Sequence, residues 1–353
     1  MDHSEKLLVL ALFAGCRLAP DLADDVAWSA VAVPPVAGAS LRGLCVPSND
    51  VLWDSGSGGV VARSTDGGAS WRDASPAEAV RDGLDLRSIH AVDETTAWVA
   101  SAGEGAASRI LRTTDGGRSW TTVHENRDET GFFDSLRFWD ARRGILMGDP
   151  VVGFLTLLVT EDGGTTWRRL ARETLPPPVE GEYGFAASNR TIALGPRGTA
   201  WVGTGGAVAR VWSTRDGGAS WSVASTPVRQ GDAASGIFAL AFADERRGVC
   251  VGGNYGEPDE RRGTCAWTVD GGRTWTLAAE PPRGYRSSVA PSPRHATTWL
   301  AVGISGTDVS RDGGRTWRAI GGADEELNAV AFVPDGRRAW AVGPRGAVRR
   351  MDL

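Results

Sequence analysis

Lysine is almost missing from this chain: of 38 basic residues only Lys6 is lysine, and the rest are arginine. Those arginines are scattered, and the net charge is −5, so there is no basic stripe of the kind a nucleic-acid-binding surface requires. No apolar run reaches membrane-span length. Histidine is scarce as well. His3 lies at the N-terminus, and His90, His124 and His295 are far apart, which leaves neither a zinc constellation nor a catalytic triad. A G-x-S-x-G elbow and a dinucleotide fingerprint are both absent, so esterase and hydride-transfer chemistry have no residues behind them. Beyond the first residues, no helical periodicity is sustained. Cysteine is limited to four, at spacings that fit no zinc site. Cys250 and Cys265 flank one loop, where they could form a disulfide or remain as buried free thiols.

What is present points to strands and turns. Glycine (47) and tryptophan (15) are abundant in 353 residues, and hydrophobic residues make up 41%, enough for a large core. The start, MDHSEKLLVLALFAGCRLAP, has one lysine, an apolar run and a small-residue pair before Cys16. This pattern predicts a lipoprotein-type signal over residues 1–15, Cys16 as the lipidated first mature residue, a tether over 16–25 and a single domain over 26–353. The expected location is therefore exported, periplasmic or membrane-anchored, with cytoplasmic as the alternative if the signal is not real.

One octapeptide recurs six times: STDGGASW, TTDGGRSW, TEDGGTTW, TRDGGASW, TVDGGRTW and SRDGGRTW. Its aspartates are Asp66, Asp115, Asp162, Asp216, Asp270 and Asp312, at intervals of 49, 47, 54, 54 and 42 residues. That period suits a four-stranded propeller blade, with the octapeptide between the third and fourth strands. A seventh unit begins at LNAVAFV and stops just after Asp352, short of a fourth strand. The missing strand is supplied by DVAWSAVAV at the other end, where Trp28 takes the place of the octapeptide tryptophan. The fold expected is all-β: a seven-bladed propeller of antiparallel four-stranded blades, its last blade completed by the N-terminal strand.

Each octapeptide reads as a structural part. The aspartate can accept backbone N–H bonds within the turn, the glycine pair supplies positive φ, and the tryptophan can pack over the turn. One acid per turn is too few ligands for calcium, so no metal and no cofactor are expected. Twelve of the 15 tryptophans fall at repeat positions, leaving Trp139, Trp212 and Trp267.

The S/T-x-D-x-G-x-S/T-W motif resembles the Asp-box, or BNR, repeat. The wider unit, LRGLCVPSNDVLWDSGSGGVVARSTDGGASW, is similar to the photosystem II stability/assembly factor-like propellers and more distantly to sialidase-like ones. The former resemblance implies chaperone-like binding to an integral-membrane client; the latter implies glycoside hydrolysis.

Insertions mark the face away from the boxes: residues 148–154, 173–185 and 252–264. Arg42, Arg87 and Asp134 stand at matched starts of innermost strands on that face. Asp149, Glu182, Tyr183, Tyr255, Tyr285 and Arg286 fall in or beside it. These nine residues are the candidate partner-binding set. The function expected is a non-catalytic, monomeric module that binds a protein or peptide partner, membrane-associated if the anchor is real. The rival is a glycoside hydrolase using Asp134, Asp149 and Glu182, or Glu257 and Asp259 from the fifth-blade loop. A sialidase-type Phe/Tyr-Arg-Ile-Pro stretch is missing near the first blade, where the chain reads VAWSAVAVPP.

Overall fold

Short runs such as LRSIHA, AWVAS and RILRT alternate β-formers with small residues and end in Gly or Asp, so they pair as antiparallel strands joined by tight turns. The computed structural model describes residues 26–177, 179–322 and 325–353. The predicted signal, Cys16 and the tether lie outside the described residues. Seven antiparallel sheets follow one another around a ring. Blade one is built from Leu41–Cys45, Leu52–Gly56, Val61–Ser64 and Arg72–Asp73, and blade two from Asp85–Ala91, Ala97–Ala102, Arg109–Thr113 and Thr121–Glu125. Blade five carries two added short strands, Glu182–Tyr183 and Gly205–Gly206, beside its innermost strand Ser235–Phe242.

The ring closes as the sequence predicts. Ser29–Val31 forms the outer strand of blade seven, pairing Ser29 with Arg350, Ala30 with Arg349 and Val31 with Val348. Trp28 then reaches across to blade six, its indole N–H donating to Thr307 Oγ1 at 2.8 Å. Closure covers the edge of Val348–Asp352 that would otherwise be open to another chain.

The core is seven separate apolar layers, one between each pair of neighbouring blades. Second-strand tryptophans bind these layers to the boxes of the next blade. Trp98 donates to Gly163 O at 3.1 Å and Trp201 to Gly271 O at 2.8 Å, while a Cβ on Gly68 would collide with the Trp340 ring. The paired glycines therefore serve close approach as well as turn geometry, since both lie at positive φ in every box. Like the two added strands of blade five, a short helix, Ala77–Arg81, in the crossing from blade one to blade two was not expected, being too brief to give a periodic signal.

Within the boxes, the aspartate is fully engaged by its own turn. Asp162 accepts from Thr160 Oγ1 (2.9 Å), Thr166 N (3.0 Å) and Thr166 Oγ1 (2.7 Å), and Thr160 Oγ1 accepts from Gly164 N (2.9 Å). The corresponding bonds to the carboxylate recur at Asp66, Asp115, Asp216, Asp270 and Asp312. Hydrogen bonds from the following Ser or Thr lead in holding Asp66, Asp115, Asp162 and Asp216 at about 2, below the usual carboxylate range. The three tryptophans outside the repeat are structural too. Trp139 donates to Thr199 O, Trp212 donates to Glu182, and Trp267 lies under the Arg315 guanidinium at 4.1 Å.

Candidate binding pocket at the channel mouth

Boxes and first-to-second-strand loops share one face of the disc, as the bond from Gly67 N to Asp50 O shows. The other face carries the second-to-third-strand loops and the crossings, joined for example by Gly59 N to Leu84 O. Seven large apolar side chains are exposed among the described residues, and five of them, Val80, Val152, Val179, Tyr255 and Ile304, lie on that second face. Val152 is 75% exposed at the tip of a two-residue hairpin loop with Gly153, and its φ is +53°. A β-branched residue in the left-handed region is strained, and polar Asn is the usual occupant there.

The mouth of the channel is floored by the entry segment of blade four. Arg42 Nη1 donates to Ala187 O at 3.0 Å and Arg87 Nη1 to Ala186 O at 3.4 Å. Ser188 Oγ donates to Ser287 O, and Asn189 Nδ2 to Ile89 O. This segment thus ties blades one, two and six across the axis.

Above it opens a pocket of about 510 Å³. Seven of the nine candidates line it: Arg42, Arg87, Asp134, Asp149, Tyr183, Tyr255 and Tyr285. Sequence reasoning missed its apolar wall, Phe132, Phe185 and Phe238. Phe185 stacks on Phe238 at 3.8 Å, with Tyr285 edge-on to Phe238 at 4.8 Å and Tyr183 edge-on to Phe185 at 5.5 Å. A second depression of about 630 Å³ adjoins this pocket, sharing Asp149 and Tyr183 and running out past Val179 and Gly153.

Charges are segregated in the pocket. Arg87 pairs with Asp85 (Nε–Oδ2 2.7 Å), and burial followed by the nearby Arg87 charge lowers Arg42. On the blade-three side, Asp134 is 2% exposed and its Oδ2 has no partner. Asp149 Oδ1 accepts from Gly184 N at 3.1 Å, and a Cβ on Gly184 would strike Asp134 Oδ2, so both carboxyls press on one residue. Burial, reinforced by Asp149, raises Asp134 well above the carboxylate range; burial lifts Asp149 to about 6.

The remaining two candidates are held elsewhere. Glu182 is buried and saturated: it takes both Arg210 Nε (3.0 Å) and Arg210 Nη2, together with Thr204 Oγ1 (2.6 Å) and Trp212 Nε1 (2.9 Å). The adjoining depression touches it, and the mouth pocket does not. Arg286 is fully buried, bonded to Asp308, to Tyr285 O (2.7 Å) and to Ser305 Oγ (3.0 Å). These are positions that fix the rim. Glu257, from the glycosidase alternative, pairs with Arg229 at 3.0 Å. Cys250 and Cys265 are free and buried, and burial pushes the Cys250 thiol up to about 12. Among the described residues no group of three or more His, Cys, Asp or Glu gathers as a metal site.

No family model and no curated protein sequence matches the chain. Solved structures do. Among them are YCF48 propellers. YCF48 bound to D1 peptide superposes with a TM-score of 0.67 at 15% identity, over 95% of this chain and 99% of that one. YCF48 from Cyanidioschyzon merolae gives 0.65 at 19% identity, over 92% and 99%. The WD40 β-propeller domain of Doa1 gives 0.61 at 11% identity, over 93% and 97%. At these identities the likeness is one of fold, and the assembly-factor-like resemblance read from the sequence holds at that level.

Proposed function

We propose that the protein is a non-catalytic propeller that binds a protein or peptide segment through the face opposite its Asp boxes. The observation that carries this reading is the mouth pocket, where aromatic rings and segregated charges sit amid exposed Val152, Tyr255 and Ile304 on loops held by a closed ring. A peptide-bound YCF48 with the same overall shape supports a peptide as occupant. The adjoining depression offers an extended chain a way in. Residues 1–16 support an exported, lipid-anchored protein that meets its partner outside the cytoplasmic membrane; Cys16→Ala followed by membrane fractionation tests that part.

Photo-crosslinking in intact cells tests the binding reading. A photoreactive residue replacing Val152 or Ile304 captures a protein partner, and one replacing Val269, on a box, captures none. Capture from Val269 alone, or from no position, overturns it.

The rival reading, glycoside hydrolysis, has one observation in its favour: burial raises Asp134 well above the carboxylate range, the direction a general acid needs. Glu182 cannot share the work, because all its acceptor capacity is taken by Arg210, Thr204 and Trp212. Aryl glycosides and sialosides should be left intact; turnover lost on Asp134→Asn would establish the rival.

A further inference from the structure

We infer that the blade-three side of the mouth pocket is a recess for a cationic side chain, so that the partner segment presents an arginine or lysine to Asp134 and Asp149. The inference rests on the binding reading above and adds the chemistry of the residue recognised.

Four observations converge on it. Asp134 lines the pocket, is 98% buried and has no hydrogen bond at Oδ2, a costly arrangement unless something offsets the charge. Asp149 receives one bond, from Gly184 N, leaving most of its acceptor capacity open. The two groups lie against the same glycine and both line the pocket, so two acids are gathered on one wall with the more exposed Asp149 placed to meet a cation. The flanking walls are aromatic, with Phe132, Tyr183 and Phe185 beside the acids and Tyr255 half exposed at the rim, and ring faces favour a cation. Tyr183 Oη is also buried without a partner.

The pocket's own cations do not fill this role. Arg87 is turned to Asp85 and Ala186 O, and Arg42 to Ala187 O. Both therefore hold the floor segment on the blade-one and blade-two side. A bound segment would set its basic side chain on the acids and its backbone carbonyls toward Arg42. The groups facing the acid pair are Arg87, Arg42, Tyr183, Tyr255 and Tyr285, with Asp85 and Asp232 further out. Of the two acids, Asp149 is the one that burial lifts to about 6. A cation favours the ionised form of Asp149, so binding strengthens as pH rises through that value.

The test is a positional-scanning library of acetylated, amidated hexapeptides with one fixed residue, applied to the folded full chain. Arginine and lysine pools should bind at least about tenfold better than citrulline and norleucine pools, a preference of the size expected for a desolvated charge-assisted bond. The preference should grow between pH 5 and 7.5 and disappear in Asp134→Asn/Asp149→Asn. If that double variant does not fold, Tyr255→Ala, whose side chain is 51% exposed, serves instead by weakening the basic pools selectively. Equal binding of neutral or glutamate pools, or a basic preference that survives loss of both acids, overturns the inference. Crosslinks from Val152 or Ile304 that persist in that case show that the binding reading stands alone; their absence shows that it fails too.

Discussion

Asp54 is the most exacting single test of how the ring is closed. It lies on the second strand of blade one, paired with Leu44 and Ala62, both of which belong to the apolar layer between blades seven and one. Paired residues share a sheet face, so the carboxyl is held in that layer. It is 0% exposed, and neither oxygen has a hydrogen-bond partner. Burial lifts its pKa to about 8. The unfolded chain ionises near 3.9. Above that pH the unfolded state releases a proton that the folded state keeps, so stability falls by about 1.4 kcal/mol per pH unit until the folded group ionises near 8. At pH 7 the accumulated cost has a ceiling of about 4 kcal/mol, from three pH units at that slope. Asp54→Asn preserves shape and removes the titration. Urea midpoints for both proteins from pH 4 to 8.5 should lie closest near pH 4 and separate steadily in favour of the variant as pH rises. Parallel curves across the range would refute the argument, whatever their offset.

Three further predictions follow from the same structure. Asp312→Ala removes four hydrogen bonds from one box and should cost about 1–2 kcal/mol by thermal melt; EDTA should leave the wild-type melt unchanged, and a chelator-induced drop would revive the calcium reading. Glu182→Gln strands Arg210 beside a neutral group and should destabilise by about 3 kcal/mol in urea, whereas a residue free for catalysis would tolerate the change. Val152→Asn relieves the positive-φ strain and should stabilise by about 1 kcal/mol while reducing partner capture; a gain in both would mean the hairpin tip takes no part in binding.

Repetition made the scaffold readable. Six boxes and a half unit at each end specify blade number and closure, because each blade must solve the same turn and packing problem. Part of the pocket was readable for the same reason: Arg42, Arg87 and Asp134 are departures at a repeated strand start. What lay outside the repeat was not. Glu182 and Arg286 look like loop charges in sequence, yet their partners Arg210 and Asp308 come 28 and 22 residues later, on strands that fold back beside them. The floor segment containing Phe185 follows no blade pattern, so its stacking on Phe238 left no periodic trace. Asp54 was not singled out by the sequence, since its burial comes from the apolar layer between blades seven and one.

The division of labour between the two faces is tested most directly by hydrogen–deuterium exchange on the protein with and without the partner captured by crosslinking. The account predicts slowed exchange in residues 148–154, 176–185, 252–264 and 304–306, with the six box turns unchanged. Protection centred on the boxes, with the mouth loops exchanging freely, would contradict it.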